Sequence, residues 1–531
     1  MKRYLPWLLL VVLTPPLVFA ALRLHPGWWA LAAPVAALAV LGLYDWLQRR
    51  HTLLRNYPLL ARFRWLIESV RPELRQYLFE SDTEAAPFSR RQRSLVYQRA
   101  KAANDKVPFG TELDVDADGH EWLNPSSAPC GGEPDAAPRV GIGNDQCAQP
   151  YAASVLNISA MSFGSLSAAA IRALNRGAAA GGFAHDTGEG GISRYHREAG
   201  GDLIWEIGSG YFGCRDDHGR FDPERFAEQA ADPQVKMIEV KLSQGAKPGH
   251  GGVLPAAKVT PEIAAAREVP VGRDCISPPA HSAFDSPRGL VEFLGRLRER
   301  SGGKPVGFKL CIGHRWEFLA ICKAMRETQI VPDFVVVDGA EGGTGAAPLE
   351  LTDHVGTPLR EGLLFVHNAL VGCELRDRVR VGAAGKVTSG FRIARNLAVG
   401  ADWCNAARGF MFALGCIQSQ SCHTDRCPTG VATQDPWRQR GLDVTDKSER
   451  VRRFHDRTVA ALTEVVAACG LEHPAQLRPW HIARRDGRAG VETLDHVYPF
   501  LATGELLAGS DHPDYRSAWA AARADSFRPA G

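Results

Sequence analysis

The chain has 531 residues, and 62 lysines and arginines against 59 aspartates and glutamates leave a formal net charge of +3. Its 45% hydrophobic and 23% charged residues exclude a wholly disordered chain, a collagen and a coiled-coil rod. The near-neutral balance gives no sign of a nucleic-acid binder, a mean hydropathy of −0.18 excludes a transporter, and twelve cysteines are too sparse for a disulfide scaffold. This length predicts one large domain with extensions, or two to three domains.

Residues 1–47 differ from the rest. Leu5 to Leu22 carries no charge, and Gly27 to Leu47 carries one, Asp45, near its end. Each is about as long as the ~20 apolar residues that cross a hydrocarbon core. Trp7, Trp28, Trp29, Tyr44 and Trp46 lie near the segment ends, where aromatic belts sit. Pro15 and Pro16 predict a kink in the first span. A signal peptide cut after Val18-Phe19-Ala20 is the competing reading, but a second span follows at once. Lys2 and Arg3 precede the hairpin, and Arg49, Arg50, Arg55, Arg62 and Arg64 follow it. The positive-inside rule then expects a cytoplasmic (inner) membrane location, with the remaining chain on the cytoplasmic side.

Residues 48–150 read as a juxtamembrane extension, helical from Arg49 to Phe79 and Gly/Pro/Asp-rich later. Over 151–447, β-rich runs alternate with helical stretches. The strands expected are Ser154–Ile158, Leu203–Ile207, Met237–Lys241, Val306–Cys311, Phe334–Asp338, Val379–Ala383 and Asp402–Ala406, with a weaker one near Val271–Ile276. That pattern predicts an α/β fold, a (β/α)8 TIM barrel, with a doubly wound open sheet as the alternative. Residues 448–531 read as a C-terminal extension, helical from Thr458 to Cys469 and then a polar tail.

In such barrels reactive groups sit at the C-terminal strand ends, and phosphate binds after the last two strands. Gly385 and Gly390 follow the seventh expected strand, and Arg408 and Gly409 the eighth. Lys309, near the end of the fifth, is aimed at the mouth or is an ion-paired lysine. Beyond the eighth strand, Cys416, Cys422 and Cys427 are spaced Cys-x5-Cys-x4-Cys and followed by Pro428. The spacing leaves three readings open: an iron–sulfur cluster, a zinc ion with His423 as fourth ligand, or three buried thiols. The other nine cysteines show no such spacing and read as plain thiols.

Several runs resemble, in order, the FMN-binding synthase domain of glutamate synthase. They are Ser159-Ala160-Met161-Ser162-Phe163-Gly164, Thr187-Gly188-Glu189-Gly190-Gly191 and Gly208-Ser209-Gly210-Tyr211-Phe212-Gly213. Further on come Gln244-Gly245-Ala246-Lys247-Pro248-Gly249, Ile276-Ser277-Pro278-Pro279, Gly342-Gly343-Thr344-Gly345-Ala346 and the cysteine run Cys416 to Gln434. The resemblance implies FMN and a [3Fe–4S] cluster held by the three cysteines. It implies that Met161, Ser162 and Gly164 line the flavin ring, with Gln244 and Lys309 at its polar edge. Gly343 joins the flavin set, and Gly385, Gly390 and Gly409 hold the phosphate. Glu189 and Lys247 face the substrate as the catalytic pair.

The resemblance further implies reduction of 2-iminoglutarate, made from 2-oxoglutarate and ammonia, to L-glutamate. A separate electron donor (ferredoxin, a reductase subunit or a quinone) and a separate ammonia source are implied too, because no glutamine-splitting domain and no strand-borne G-x-G-x-x-G are seen. Three positions depart from the family pattern. Asp186 replaces an Asn, and Asp338 and Glu341 stand where SG-x-DGGTGA is expected. Extra carboxylates would disfavour an anionic substrate, so the alternative is a flavin oxidoreductase of the same fold with another substrate, coupled to a membrane electron partner or quinone. A membrane-anchored electron-transfer or scaffold subunit with an idle pocket is the third expectation.

Overall fold

The computed structural model describes residues 2–84, 86–130, 137–487 and 490–530. The chain divides into two units, residues 1–85 and 86–531, so the division falls inside the 48–150 segment.

The first unit begins with α1 (Leu5–Arg23) and α2 (Trp29–Leu47), joined by a short turn at Pro26–Trp28. α1 runs unbroken through Pro15 and Pro16. The two helices pack as a hairpin. Trp7 Nε1 donates to the Ala39 carbonyl at 2.9 Å, and a Cβ on Gly42 would lie 2.1 Å from the Trp7 ring. Only glycine admits that indole. Leu, Val and Trp side chains cover the outward faces. Asp45, fully buried, receives Arg62 Nη2 at 2.6 Å, Arg62 Nε at 2.9 Å and the Leu59 N–H at 3.1 Å, which fixes the start of α3 (Leu60–Leu74).

The second unit is built on eight parallel strands: β1 (Leu156–Ile158), β2 (His185–Asp186), β3 (Leu203–Ile207), β4 (Val235–Lys241), β5 (Val306–Leu310), β6 (Phe334–Asp338), β7 (Arg380–Ala384) and β8 (Trp403–Ala406). They close into a barrel, with β8 paired to β1 through Cys404 and Leu156. Closure rules out the open doubly wound sheet.

Two corrections concern strands. The second barrel strand is His185–Asp186, too short to leave a periodic signal. The 271–276 segment is not in the barrel. Its Cys275–Ile276 pairs antiparallel with Val253–Leu254 in a small hairpin. The two errors offset each other in the count, so Lys309 still lies near the end of the fifth strand.

Helices α4 (Ala168–Gly181), α5 (Pro223–Ala230), α6 (Pro287–Arg300), α7 (Arg315–Thr328), α8 (Leu359–Gly372), α9 (Gly390–Ala398) and α10 (Arg408–Leu414) follow β1, β3, β4, β5, β6, β7 and β8. Side-chain oxygens of Ser167, Asp222, Ser286 and Ser389 cap α4, α5, α6 and α9. Each such cap satisfies orphan N–H groups and contributes about 1 kcal/mol.

Side chains alternate along a strand, so inward positions recur every second residue. Ile204, Met237, Phe334, Val336 and Trp403 form one apolar cluster inside the barrel. Gly307 and Gly382 make room for it. A Cβ on Gly307 would lie 2.6 Å from the Phe334 ring, and one on Gly382 2.5 Å from Trp403. Two residues further along the same strands, the same parity presents Glu206, Glu239, Lys309, Asp338 and Asn405, all well buried but Asp338. The barrel interior is therefore apolar at its N-terminal end and charged towards its C-terminal end.

The C-terminal helix is longer than the sequence suggests: α11 spans Val444–Ala468. It lies across α4 and α9. A Cβ on Gly177 would meet Val451 at 2.5 Å, and one on Gly390 would meet the Leu462 backbone nitrogen at 2.6 Å. The chain beyond α11 is no loose polar tail. Ile482–Asp486 bridges Glu121–Leu123 and Gly490–Thr493 in a three-stranded sheet. The helix Pro513–Ala521 docks on α7, where Lys323 Nζ donates to the Trp519 and Ala522 carbonyls, each at 2.8 Å. Such short, arginine-bearing strands carry little apolar alternation to read.

Replacing Gly390 with Ala is expected to cost about 1–3 kcal/mol, because the new methyl meets backbone that cannot rotate away. A thermal or denaturant melt reads this. Unchanged stability with loss of bound cofactor would instead assign Gly390 to phosphate binding alone.

Candidate active site

A cleft of roughly 1250 Å³ of empty space, open to solvent, lies over the C-terminal strand ends. The loop after β1 brings Met161 and Ser162 to it, and the loop after β2 brings Glu189. Gln244 and Lys247 come from the loop after β4, Lys309 from β5 and Gly343 from the loop after β6. Gly385 and Gly409 follow β7 and β8, and Cys422 joins them. Gly164, Gly390, Cys416 and Cys427 are not on the cleft wall. Gly164 adopts φ +102°, and a Cβ there would press on Leu254 and Ile263.

Lys309 is a buried cation of the site. Its ammonium hydrogen-bonds Glu206 and lies 3.2 Å from Glu239 Oε1. Lys241, one inward position beyond Glu239, donates to Gln244 Oε1 at 2.8 Å and pairs with Glu189 Oε2 at 3.1 Å. Burial alone would raise the Glu189 carboxyl, but Lys241 beside it holds it below its ordinary value. Glu189 also fits only because its neighbours lack side chains. A Cβ on Gly252 would lie 2.1 Å from its Oε1, and one on Gly208 2.9 Å from its Oε2. Lys247 is buried, donates to the Ala346 carbonyl at 3.0 Å, and is lowered by that burial.

The three departures from the family pattern act as loop anchors. Asp186 accepts the Gly188 N–H at 3.0 Å, Asp338 the Gly245 N–H at 2.8 Å and Glu341 the Leu359 N–H at 2.9 Å. Of these three, only Asp338 reaches the cleft wall. Burial raises both Asp186 and Asp338.

Lys386 and Arg408 line the cleft after β7 and β8. Among the described residues neither forms an ion pair with a carboxylate. Among the described residues Arg408 reaches only the Thr344 carbonyl, at 3.5 Å, and a Cβ on Gly343 would collide with its guanidinium. Burial lowers both cations.

The cysteine loop is stitched to the loop after β1. Gln434 Nε2 donates to the Gly164 and Leu166 carbonyls at 2.9 and 3.0 Å. Buried Lys258 donates to the Ser165 and Ala432 carbonyls, both at 3.0 Å. Tyr97 donates its hydroxyl to the Cys416 carbonyl at 2.6 Å. Burial pushes the Cys416 thiol up to about 12 and raises Cys422, whereas Thr429 and loop N–H groups overcome burial at Cys427 and lower it.

Glu206, Glu239, Lys241, Lys258 and Lys386 escape the sequence reading. The signal for the first three was present: charged residues at alternate positions within LIWEI and IEVK, in strands otherwise apolar as buried parallel strands are.

A closed parallel barrel whose charged cleft lies at the C-terminal strand ends is the architecture of a barrel enzyme. A family model, the conserved region in glutamate synthase, matches residues 134–472. The "Glutamate synthase large subunit-like protein YerD" of Bacillus subtilis is 36% identical over 507 residues, covering 88% of this chain and 96% of that protein. An "Archaeal-type glutamate synthase (NADPH)" of Thermotoga neapolitana is 32% identical over 351 residues, 66% of this chain and 65% of that one. The chain spans 18% of the "Glutamate synthase (NADPH) large chain" of Bacillus subtilis, at 35% identity. Among solved structures, a flavocytochrome b2 double mutant with pyruvate bound aligns at a TM-score of 0.42 and 13% identity, over 84% of this chain and 90% of that one. The chain belongs to the glutamate synthase family, and with that membership it is an oxidoreductase.

His281 anchors the end of β4. Its Nε2 contacts the Lys241 carbonyl at 2.8 Å and its Nδ1 the Tyr211 hydroxyl at 3.0 Å, and burial pushes it down to about 4. The unfolded chain takes up this proton near pH 6.5 and the native chain does not, so stability falls as pH drops from about 6.5 towards 4. His281→Gln is expected to narrow its stability gap to the parent by on the order of 3 kcal/mol across that window. Denaturant melts at a series of pH values check it, and a pH-independent gap contradicts it.

Proposed function

We propose that the cleft holds FMN and reduces 2-iminoglutarate, formed from 2-oxoglutarate and ammonia, to L-glutamate, with a [3Fe–4S] cluster on Cys416, Cys422 and Cys427. One observation carries the reading: nine of the flavin and substrate residues named by resemblance, and Cys422, converge on one cleft whose two outer cations lack carboxylate partners among the described residues. A phosphate at the loops after β7 and β8 would supply the charge that Lys386 and Arg408 lack. Met161, Ser162 and Gln244 would border the ring, and Lys309 its polar edge. Bound FMN would supply two-electron hydride chemistry, and the cluster one-electron relay.

Lys247 suits a substrate carboxylate, being a buried donor with a single carbonyl partner among the described residues. Glu189, kept ionised by Lys241, is able to take a proton from the substrate side. Cluster is favoured over zinc by the spread of the thiols. Among the described residues, the one set of three ligating groups within 4.8 Å of one another is Asp186, Glu206 and Glu239, not the cysteines. A three-iron cluster gives each thiolate its own iron, whereas one tetrahedral ion needs them gathered. His423 is exposed.

The first unit is read as a membrane hairpin in the cytoplasmic membrane, with the barrel on the cytoplasmic side. Two apolar helices of mean hydropathy 2.2 and 1.7 and the arginines after them support this. Electrons would come from a separate donor (a ferredoxin, a reductase subunit or a quinone) and ammonia from solution or a partner. The hairpin also favours a second reading, in which the cleft exchanges electrons with a membrane partner and acts on another substrate.

Chemically reduced, detergent-solubilised protein is expected to be reoxidised by 2-oxoglutarate plus ammonium. Reoxidation only by quinones or other imines selects the second reading, and a protein without FMN or iron overturns both. Cys422→Ser should abolish the cluster's spectroscopic signal; unchanged iron content refutes the ligand assignment.

A further inference from the structure

The interior of the barrel holds more acid than base. Asp186 on β2, Glu206 on β3, Glu239 on β4 and Asp338 on β6 share it with two ammonium groups, Lys241 and Lys309. One carboxylate oxygen from each of Asp186, Glu206 and Glu239 lies within 4.8 Å of the other two, and each residue is 1% exposed. Lys241 is committed to Glu189 and Gln244. Lys309 hydrogen-bonds Glu206 and offers Glu239 an ion-pair contact at 3.2 Å. Neither oxygen of Glu239, nor Oδ2 of Asp186, receives a hydrogen bond from any described donor.

A metal ion would compete with the Lys309 ammonium already inside this nest. A proton is the smaller solution. Two neighbouring carboxyl groups that share one cation do not both ionise, and a proton between them satisfies an oxygen on each.

We propose that Glu239 is held as a carboxylic acid sharing its proton with Asp186, and that it stores the proton that the reduction in the cleft consumes. This rests on the reductive reading above. Burial, followed by the charges of Asp186 and Asp338, pushes the Glu239 carboxyl well above the usual carboxylate range, in agreement with the geometry.

The step balances as follows. Hydride supplied by a reduced flavin, as in the reading above, would form a C–H bond at the imine carbon, and the nitrogen would gain the electron pair of the broken π bond. The O–H bond of Glu239 breaks as one forms on Glu206, whose side chain lines the cleft floor. That bond breaks in turn as an N–H bond forms on the substrate. Glu239 and Glu206 are left as carboxylates beside Lys309, and solvent returns the proton through the cleft. Glu239 acts through Glu206 and is a positioning residue for the proton.

The test uses the full-length, detergent-solubilised holoprotein and its Glu239→Gln variant, which keeps the shape and cannot store the proton. Infrared spectra of the resting protein in H₂O and D₂O should show the carbonyl stretch of a protonated carboxylic acid, deuterium-sensitive, and absent in Glu239→Gln. Asp186→Asn should keep that band and move its position. Reoxidation by 2-oxoglutarate plus ammonium should slow about a hundredfold in Glu239→Gln. The residual rate should fall with rising pH across a range where the parent is flat. No carboxylic-acid band, or a band that survives in Glu239→Gln, overturns the store. A variant with the parent's rate and pH profile overturns its role in turnover. The infrared readout needs no substrate, so a parent protein with the band but no reoxidation overturns the reductive reading and leaves the store standing.

Discussion

One ammonium group, on Lys309, makes the interior of this barrel possible. Moving carboxylates out of water costs several kcal/mol each unless they are paired or neutralised. Here Asp186, Glu206 and Glu239 are gathered where most barrels place a third apolar layer. Lys309 neutralises one of them directly and borders a second. Removing it would leave buried charge with no counterpart, which is far costlier than removing an exposed pair. The apolar layer beneath, from Met237 to Trp403, supplies the burial that tolerates such a polar end.

The loops above depend on that end in turn. Asp338 holds the N–H of Gly245, Asp186 that of Gly188, and Lys241 orients both Gln244 and Glu189. Side chains rising from the barrel interior thus position the segments that carry the family's motifs. The cysteine loop is fixed by the same logic through Lys258 and Gln434, which bind carbonyls on the loop after β1. Ligand residues for two different cofactors would therefore rest on one hydrogen-bonded scaffold.

Much of this was legible in the sequence where the physics is local. Long β-branched runs such as Phe334–Asp338 announced barrel strands, the glycine-bearing motifs announced the cleft, and the apolar runs announced α1 and α2. What escaped depends on tertiary context. His185–Asp186 is a strand only because β1 and β3 flank it. The 271–276 run has strand composition, yet its partner is a hairpin outside the barrel. Asp186 and Glu341 looked like substrate-facing charge, but each is turned onto a backbone N–H of its own or a neighbouring loop. Gly390 sits where a phosphate glycine is expected, and its lack of a side chain admits α11. That Glu206 and Glu239 point inward was legible, but their meeting with Asp186 was not, since the three come from strands spread over more than fifty residues.

The contact between α4 and α11 also has a consequence for biosynthesis. Gly177 and Val451 meet at a distance only glycine allows, so the first helix of the barrel is covered by a helix made some 270 residues later. At roughly 5–20 residues per second, a ribosome takes on the order of half a minute to make that interval. Throughout it the small-residue face of α4 stays bare on the nascent chain. The barrel is thus a fold that finishes late, and its first βα unit waits for nearly the whole chain before its core is sealed.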